Sequence, residues 1–150
     1  MSNTITDLTQ RPPRSARVQL GRYVILPRLL DKCRAEIAGK QGEYHYNCPL
    51  DQHFFKFTGI DAVELKEVVA TGKGDGEILE WIEANAKHPR EQWEIAQWSH
   101  FHSTRGVDSD AETLAWFAES VGKLTTTRED VRTLADFLDL DDYVTFGGKA

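Results

Sequence analysis

Cysteine is scarce in this sequence, which contains only Cys33 and Cys48. Two cysteines are too few for the disulfide framework of a small secreted domain, and they lack Cys-x-x-Cys spacing, so we expect two free thiols. Long apolar runs are also missing: they reach only a few residues, as in Tyr23–Pro27, whereas a membrane-spanning helix needs about 20. The polar N-terminus lacks the apolar region of a signal peptide. We therefore expect a cytoplasmic protein without a membrane partner.

Recognisable metal, cofactor and nucleic-acid motifs are lacking as well. The only closely spaced histidines, His100 and His102, are two residues apart, which directs their rings to different faces of a helix. The glycine-rich segment Gly72–Gly76 lacks the Gly-Lys-Ser/Thr sequence and the preceding strand of a phosphate loop. An acidic chain without a base-reading module disfavours nucleic-acid binding. We predict no metal and no cofactor, and the sequence does not indicate an oligomeric state.

Charge is distributed unevenly along the chain. Residues 1–40 carry eight Lys and Arg against three Asp and Glu, whereas residues 41–150 carry ten against twenty-one. A basic N-terminal part is therefore joined to an acidic body, within a net charge of −6. The basic part can bind an external anion or dock onto its own chain. We favour docking because that partner is already present.

Periodicity and turn signals predict an all-α, or nearly all-α, fold. Residues 1–20 contain no helical period and include Pro12–Pro13, so we predict an extended N-terminal arm, with residues 1–7 flexible. The rest predicts a compact single-domain bundle of about seven helices spanning the whole chain, with an extended C-terminal tail from Leu140. The predicted helix starts are Pro27 (ending at Ala38), Pro49, Asp61, Asp75, Pro89, Asp108 or Asp110, and Thr127.

Several short segments along the chain form a pattern. They are Leu8–Ser15, Leu26–Arg28, Leu30–Lys32, Tyr44–Asp51, Gly59–Asp61 and Phe146–Gly148. Together they resemble an uncharacterised bacterial family of unknown function, and the string Tyr-x-Tyr-x-Cys-Pro-Leu-Asp is the most specific part. The resemblance covers essentially the whole chain. Because that family has no assigned activity, only the residues themselves indicate the chemistry.

The segment Tyr44–Asp51 contains the densest set of reactive side chains. Pro49 predicts a helix start with Cys48 in the N-cap position, where backbone N–H groups and the helix dipole favour a thiolate. His45 can act as a nearby base, which is the minimum for a nucleophile. Asp51, however, falls at the third helical position, where its carboxylate opposes a thiolate. We favour the interpretation that Cys48 is a small buried residue capping the helix.

Two tyrosines precede that cysteine. Tyr44 and Tyr46 are two residues apart, so in an extended segment both point to one side. They can hydrogen-bond a substrate, or cover the core with their hydroxyls in water. Whether the protein is an enzyme stays open. If it is, we predict acid–base chemistry through Tyr44, Tyr46 or Asp51, with the arginines holding charge. Cys48 is a further candidate catalytic residue.

Four cations are candidates for binding an anionic ligand. Arg14 and Arg17 lie on the arm, and Arg28 and Lys32 lie one turn apart on the first helix. Guanidinium groups suit bidentate binding of phosphate or carboxylate. The alternative is that these cations pair with carboxylates of the same chain: Asp31, Asp51 and those of the tail.

The predicted function is therefore binding, with or without turnover, of a small anionic ligand. The site would lie between the arm, the first helix and Tyr44–Asp51. The alternative is a non-catalytic interaction or regulatory module that uses its basic arm to engage an acidic partner.

Overall fold

The computed structural model describes residues 5–107 and 110–150. Within these ranges the chain forms seven helices and no strand, and an isolated bridge joins Leu20 to Tyr23. The prediction of an all-α fold is confirmed. The helices are α1 (Leu26–Ile37), α2 (Pro49–Thr58), α3 (Ala62–Ala70), α4 (Asp75–Asn85), α5 (Gln92–Thr104), α6 (Ala111–Leu124) and α7 (Leu134–Thr145). None of the helices in the described ranges has the length and apolar content needed to span a membrane.

Proline and capping residues account for most helix starts. Pro27 lies in the first turn of α1, and Pro49 is the first residue of α2. Proline suits these positions because its missing N–H has no helical partner there. Asp61 and Asp110 are the N-cap residues of α3 and α6, and the side chain of each accepts backbone N–H donation from the first turn. The other predicted start of α6, Asp108, lies outside the described residues.

Two predicted helix starts are too early. The predicted start at Pro89 precedes the first residue of α5, Gln92, by three residues. The predicted start at Thr127 is wrong by more, because α7 begins after Thr133. The Thr133 hydroxyl accepts the N–H of Asp136 at 3.0 Å, and the Asp136 carboxylate accepts the N–H of Thr133 at 2.9 Å. This reciprocal capping box satisfies two backbone groups that would otherwise lack partners.

The predicted extended tail is wrong for residues 140–145, which belong to α7. The helix ends at Thr145, and Gly147 follows with a φ of 95°, a value that glycine adopts without the steric cost of a Cβ atom. The N–H of Gly148 donates to the carbonyl of Tyr143 at 2.8 Å and closes the helix end. Asp142 is therefore a helical residue, and the helix determines the face to which its side chain points.

The hydrophobic core has two parts. The larger cluster surrounds α1 and includes Leu29, Leu30 and Phe54, each with no exposed surface. The smaller cluster lies between α6 and α7 and is centred on Phe117 and Leu140. Helix α1 packs against α2 and α3, while α7 packs against α5 and α6. The apolar faces of the amphipathic helices thus cover one another.

The N-terminal arm lies against helices of its own chain. Arg14 binds Asp31 of α1 through Nε and Nη2, both at 3.0 Å, and it binds Asp75 of α4 at 2.8 Å. Arg17 pairs with two carboxylates of α7, those of Asp136 and Asp139. The arm therefore connects α1, α4 and α7. Residues 1–7 are predicted to be flexible, and residues 1–4 of this segment lie outside the described ranges.

Candidate functional site

A cavity of about 760 Å³ lies between the start of the arm, the segment before α2 and the C-terminal half of α7. Its size is within the range usual for small-molecule sites. The lining combines cations, a thiol, hydroxyls, carboxylates and apolar side chains. It is formed by Leu8, Thr9, Arg28, Lys32, Gly42, Glu43, Tyr44, His45, Cys48, Leu50, Leu138, Asp141, Thr145 and Phe146.

Two cations of α1 form one side of this cavity. Arg28 and Lys32 are four residues apart, so their side chains lie on the same helical face. They are 4% and 3% exposed, and both contribute to the cavity lining. Charged residues are rarely buried to this degree unless they are paired. Each has a carboxylate partner.

Arg28 is paired with Asp142 of α7. Its Nη1 donates to Asp142 Oδ2 at 2.8 Å, and its Nη2 donates to Oδ1 at 3.3 Å. The hydroxyl of Tyr44 donates to the same Oδ1 at 2.7 Å, and the guanidinium carbon lies 5.5 Å from the centroid of the Tyr44 ring. Burial opposes the charge of Arg28, but the bond to Asp142 outweighs it and raises the pKa of Arg28. Arg28 is therefore a permanent cation on the cavity wall.

Tyr44 is a hydrogen-bond donor at neutral pH. Burial raises the pKa of its phenol, and the bond to the Asp142 carboxylate raises it further. Tyr46 behaves in the same way, because burial and then the nearby Cys33 and Asp51 raise its pKa. Neither phenol ionises near neutral pH, so neither accepts a proton there.

Lys32 joins Asp51 to Cys48. Its Nζ lies 2.9 Å from the Asp51 carboxylate and 3.2 Å from the Cys48 sulfur. Asp51 is fully buried. Burial raises the pKa of the Asp51 carboxyl, and the Lys32 ammonium and the backbone N–H groups of Asn47 and Cys48 offset part of that rise. The opposition between Asp51 and a Cys48 thiolate is thereby reduced, since a cation contacts both groups.

The backbone before α2 makes this arrangement possible. Asn47 has a φ of 60°, a left-handed conformation that asparagine tolerates better than most residues. Its N–H donates to the Asp51 carboxylate at 3.0 Å. Cys48 is the N-cap residue, but its side chain makes no capping hydrogen bond. The prediction that Cys48 is a small buried residue capping the helix is therefore wrong for its side chain, which is only partly buried and lies against Lys32 Nζ.

The predicted site residues separate into two groups. Arg28, Lys32, Tyr44 and Cys48 line the cavity, and Asp51 lies directly behind Lys32. The remaining three contact other parts of the chain: Arg14, Arg17 and Tyr46.

The prediction that the two tyrosines share one side is wrong. The Tyr46 hydroxyl donates to the carbonyl of Ala62 at 2.6 Å, and its ring packs edge-on against Phe55. Tyr44 instead points into the cavity. The segment turns at residues 46–47 rather than continuing as an extended strand, so the two-residue alternation does not apply.

Sequence reasoning missed the contribution of α7. It gives the carboxylates of this segment only as alternative partners of the four candidate cations, an alternative that the pairing of Arg28 with Asp142 fits, and it does not place Asp141 at the cavity. Burial, and then the neighbouring Asp142, raise the pKa of Asp141. Leu138 and Phe146 supply an apolar wall. A helical spacing from residue 138 onwards groups these side chains, but the sequence signals predict an extended segment from Leu140.

A separate histidine cluster joins α2 to α5. The rings of His53 and His102 have centroids 4.8 Å apart, and Arg105 Nη1 lies 3.2 Å from His53 Nε2. The buried Nδ1 of His102 has no hydrogen-bond partner among the described residues. Burial, followed by His53 and Arg105, lowers the pKa of His102 to about 4. No group of three or more metal-ligating side chains in the described ranges could hold a metal ion.

This cluster predicts a loss of stability in mild acid. The unfolded chain protonates His102 near its ordinary pKa of 6.5, whereas the folded protein resists protonation down to about 4. The unfolded state therefore binds more protons, and stability falls as pH drops below 6.5. We expect the free energy of unfolding to fall by about 1 kcal/mol between about pH 7.5 and pH 5. This is less than the full difference in pKa implies, because water partly screens a half-exposed group. Urea unfolding measures it.

The matched variants are His102→Phe and His100→Gln. His100 is exposed on the same helix, so His100→Gln should keep the pH dependence of the parent protein. His102→Phe should weaken it between about pH 7.5 and pH 5, because the more strongly perturbed imidazole has been removed and His53, whose pKa burial also lowers, remains. An unchanged slope in His102→Phe would contradict the assignment.

Comparison with known proteins identifies the family. A family model described as "Domain of unknown function (DUF5069)" matches residues 10–144. That range includes most of the arm, the Tyr44–Asp51 segment and α1 through all but the last residue of α7. A search of curated proteins found no significant match. The prediction of an uncharacterised family is confirmed, and the chain belongs to the DUF5069 family of unknown function.

Proposed function

We propose that this protein is a cytoplasmic, single-domain protein that binds a small anionic metabolite in the cavity beside α1. The observation that carries the proposal is the pair of buried cations, Arg28 and Lys32, which line a cavity of about 760 Å³. The donor hydroxyl of Tyr44 and the thiol of Cys48 line the same cavity. Two cations grouped at one concave surface favour an anionic group over a neutral one.

The charge balance restricts which anion fits. Both cations already have a carboxylate, so a ligand would gain hydrogen bonds more than net charge. A guanidinium has five N–H donors, and the contacts of Arg28 to described residues use three of them. The carboxylates of Glu43 and Asp141 also line the cavity and repel a dianion. We therefore expect a monoanion, such as a carboxylate, to bind better than a phosphate.

The apolar lining indicates the rest of the ligand. Leu8, Leu50, Leu138 and Phe146 come from three separate parts of the chain and all border the cavity. An apolar group that displaces water from these side chains stabilises the complex by about 25 cal/mol per Å². The ligand class that matches both features is an amphipathic monocarboxylate with an aliphatic or aromatic body.

A thermal-shift screen with calorimetry on the hits tests this proposal. The panel contains aliphatic and aromatic monocarboxylates, phosphate esters, amines of matched size, and divalent metals. We expect monocarboxylates to raise the melting temperature of the parent protein, since a ligand that binds only the folded state stabilises it. Leu138→Trp, which fills the cavity, should abolish the shift. Lys123→Met removes an exposed cation of α6 and should leave it intact.

The proposal would be contradicted by a shift with amines alone, by no shift with any compound of the panel, or by carboxylates acting equally on Leu138→Trp.

The alternative function is a non-catalytic interaction module that uses the basic arm. Arg14 and Arg17 would then have to exchange ion pairs that they make within their own chain. Capture of an acidic protein that depends on these two arginines would support that alternative.

A further inference from the structure

The three side chains around Lys32 have the composition of a covalent catalytic site. Cys48 is a potential nucleophile that borders the cavity, and Lys32 contacts its sulfur at 3.2 Å. The Asp51 carboxylate, 2.9 Å from the same ammonium, fixes the position of Lys32. A nucleophile, a proton-carrying group within hydrogen-bond distance, and a third group that orients the second are the recurring parts of covalent catalysis.

We propose that Cys48 is a nucleophile for acyl transfer, and that the cavity takes an activated acyl compound, an ester or a thioester. This inference rests on the proposed function, because the acyl compound would occupy the cavity assigned to the anionic ligand. The carboxylate released by hydrolysis would belong to the ligand class proposed above.

A buried cation and a helix N-terminus both lie beside the sulfur. The Lys32 ammonium is only 3% exposed, so its attraction for the sulfur is weakly screened by water. The sulfur also lies at the N-terminus of α2, a ten-residue helix whose dipole favours negative charge there. The Asp51 carboxylate is occupied by Lys32 and by the N–H of Asn47.

Cys33 provides an internal comparison. It has no exposed surface and lies in the core cluster around α1. Burial raises the pKa of its thiol to about 12, so it stays a neutral thiol at physiological pH. One chain thus contains an inert thiol and a thiol beside an ammonium, and a reagent specific for thiolates can distinguish them.

The proposed reaction needs only the acyl compound, water and the side chains of Cys48 and Lys32. The Cys48 thiolate forms a bond to the acyl carbon, and the bond from that carbon to the leaving group breaks. The leaving group takes a proton from the Lys32 ammonium and departs, leaving a thioester on Cys48. Water then attacks the thioester carbon and releases the carboxylic acid, and the proton left by water returns to Lys32 as the thiolate is restored. The ammonium also stabilises the negative oxygen that develops during the attack of the thiolate, and the neutral Lys32 amine accepts the proton of water in the second attack.

The first experiment uses p-nitrophenyl acetate as the acyl probe. We expect a burst of nitrophenolate, an acetyl group on the peptide containing Cys48, and none on the peptide containing Cys33. Cys48→Ala should lower the rate of nitrophenolate release at least about 100-fold. Equal release by Cys48→Ala, or absence of an acetyl group on Cys48 in the parent protein, would overturn the proposal.

The second experiment tests the role of Lys32 with a variant that keeps the fold. Lys32→Met alone leaves Asp51 unpaired, so the double variant Lys32→Met/Asp51→Asn is used, and circular dichroism verifies its helices. Alkylation of Cys48 by iodoacetamide at about pH 7 should slow at least about tenfold in the double variant, because the cation 3.2 Å from the sulfur is gone. An unchanged rate would overturn the role of Lys32.

A third measurement separates this inference from the proposed function. Calorimetry with monocarboxylates on Cys48→Ala measures anion binding without the nucleophile. If Cys48→Ala binds carboxylates but Cys48 of the parent protein is never acetylated, only the acyl-transfer inference fails. If Cys48 is acetylated but no anion binds to either protein, the proposed function fails, and with it the assignment of a carboxylate-type substrate.

Discussion

Lys32→Met is expected to lower the free energy of unfolding by about 3–5 kcal/mol, because it leaves a carboxylate unpaired in the protein interior. Asp51 has no exposed surface, and Lys32 is its only cationic partner among the described residues. The variant partly relieves the charge by protonating Asp51, whose carboxyl pKa burial already raises. The folded variant then binds more protons than the unfolded chain, so the loss should grow as pH rises from about 5 to 8.

The matched control for Lys32→Met is the double variant Lys32→Met/Asp51→Asn. Removing both charges leaves no unpaired ion, and the amide oxygen introduced by the second substitution still accepts the N–H of Asn47. We expect the double variant to recover most of the lost stability, to within about 1–2 kcal/mol of the parent protein. Urea unfolding of the parent, the double variant and the two single variants gives the coupling energy. A Lys32→Met variant that loses less than about 1 kcal/mol would show that the pair is not desolvated.

Asp142→Leu is expected to be comparably destabilising, by about 3–5 kcal/mol. Arg28 is 4% exposed and, unlike a carboxyl, does not lose its charge at any pH that a folded protein tolerates. The same change removes the acceptor of the Tyr44 hydroxyl, which then has to find another partner or stay unpaired. We therefore expect little pH dependence of this loss, in contrast to that of Lys32→Met.

The neighbouring residue supplies the control for Asp142→Leu. Asp141 borders the cavity, is more exposed, and makes no ion pair with the described residues, so Asp141→Leu should change stability by less than about 0.5 kcal/mol. Thermal and urea unfolding measure both variants. Equal losses in the two variants would contradict the assignment of Asp142 as the partner of Arg28. In the folded fraction, Asp142→Leu should also bind monocarboxylates more tightly, because Arg28 loses its competing carboxylate.

The ion pairs of the arm should contribute much less. The side chains of Arg14 and Arg17 are 36% and 37% exposed, so water screens their attraction to the carboxylates that they bind. These pairs hold the arm across α1, α4 and α7, and each should contribute about 0–1 kcal/mol. The arm is therefore better described as a docked segment than as a free anion-binding surface.

Local signals predicted the fold class and most helix starts. The dipeptide Cys48–Pro49 and the capping residue Asp61 placed the starts of α2 and α3 correctly, since both act through the backbone of their own first turn. The error at Thr127 arose because Thr133 and Asp136 have the same spacing as Thr127 and Asp130. Two equivalent local signals cannot be ranked without the packing around them.

The candidate site was predicted in part. The cluster of Tyr44, Cys48, Arg28 and Lys32 follows from short sequence distances, because the first helix and the segment before α2 are joined by a short connection. Tyr46 lies away from the cavity because of a turn that the neighbouring residue types do not predict. The participation of α7 was missed because the sequence signals predict its last turns as extended, which hides the common direction of residues 138–146.

The sequence by itself determined the helical class, the asymmetry of charge and the concentration of reactive groups at Tyr44–Asp51, because each depends on residue type and on spacing within a few turns. Only the tertiary structure decided which carboxylate each cation binds. Arg28 pairs with Asp142 and Lys32 pairs with Asp51, since the partner of a buried charge depends on which helices pack against it. That packing also placed the Cys48 sulfur against an ammonium at the edge of a cavity.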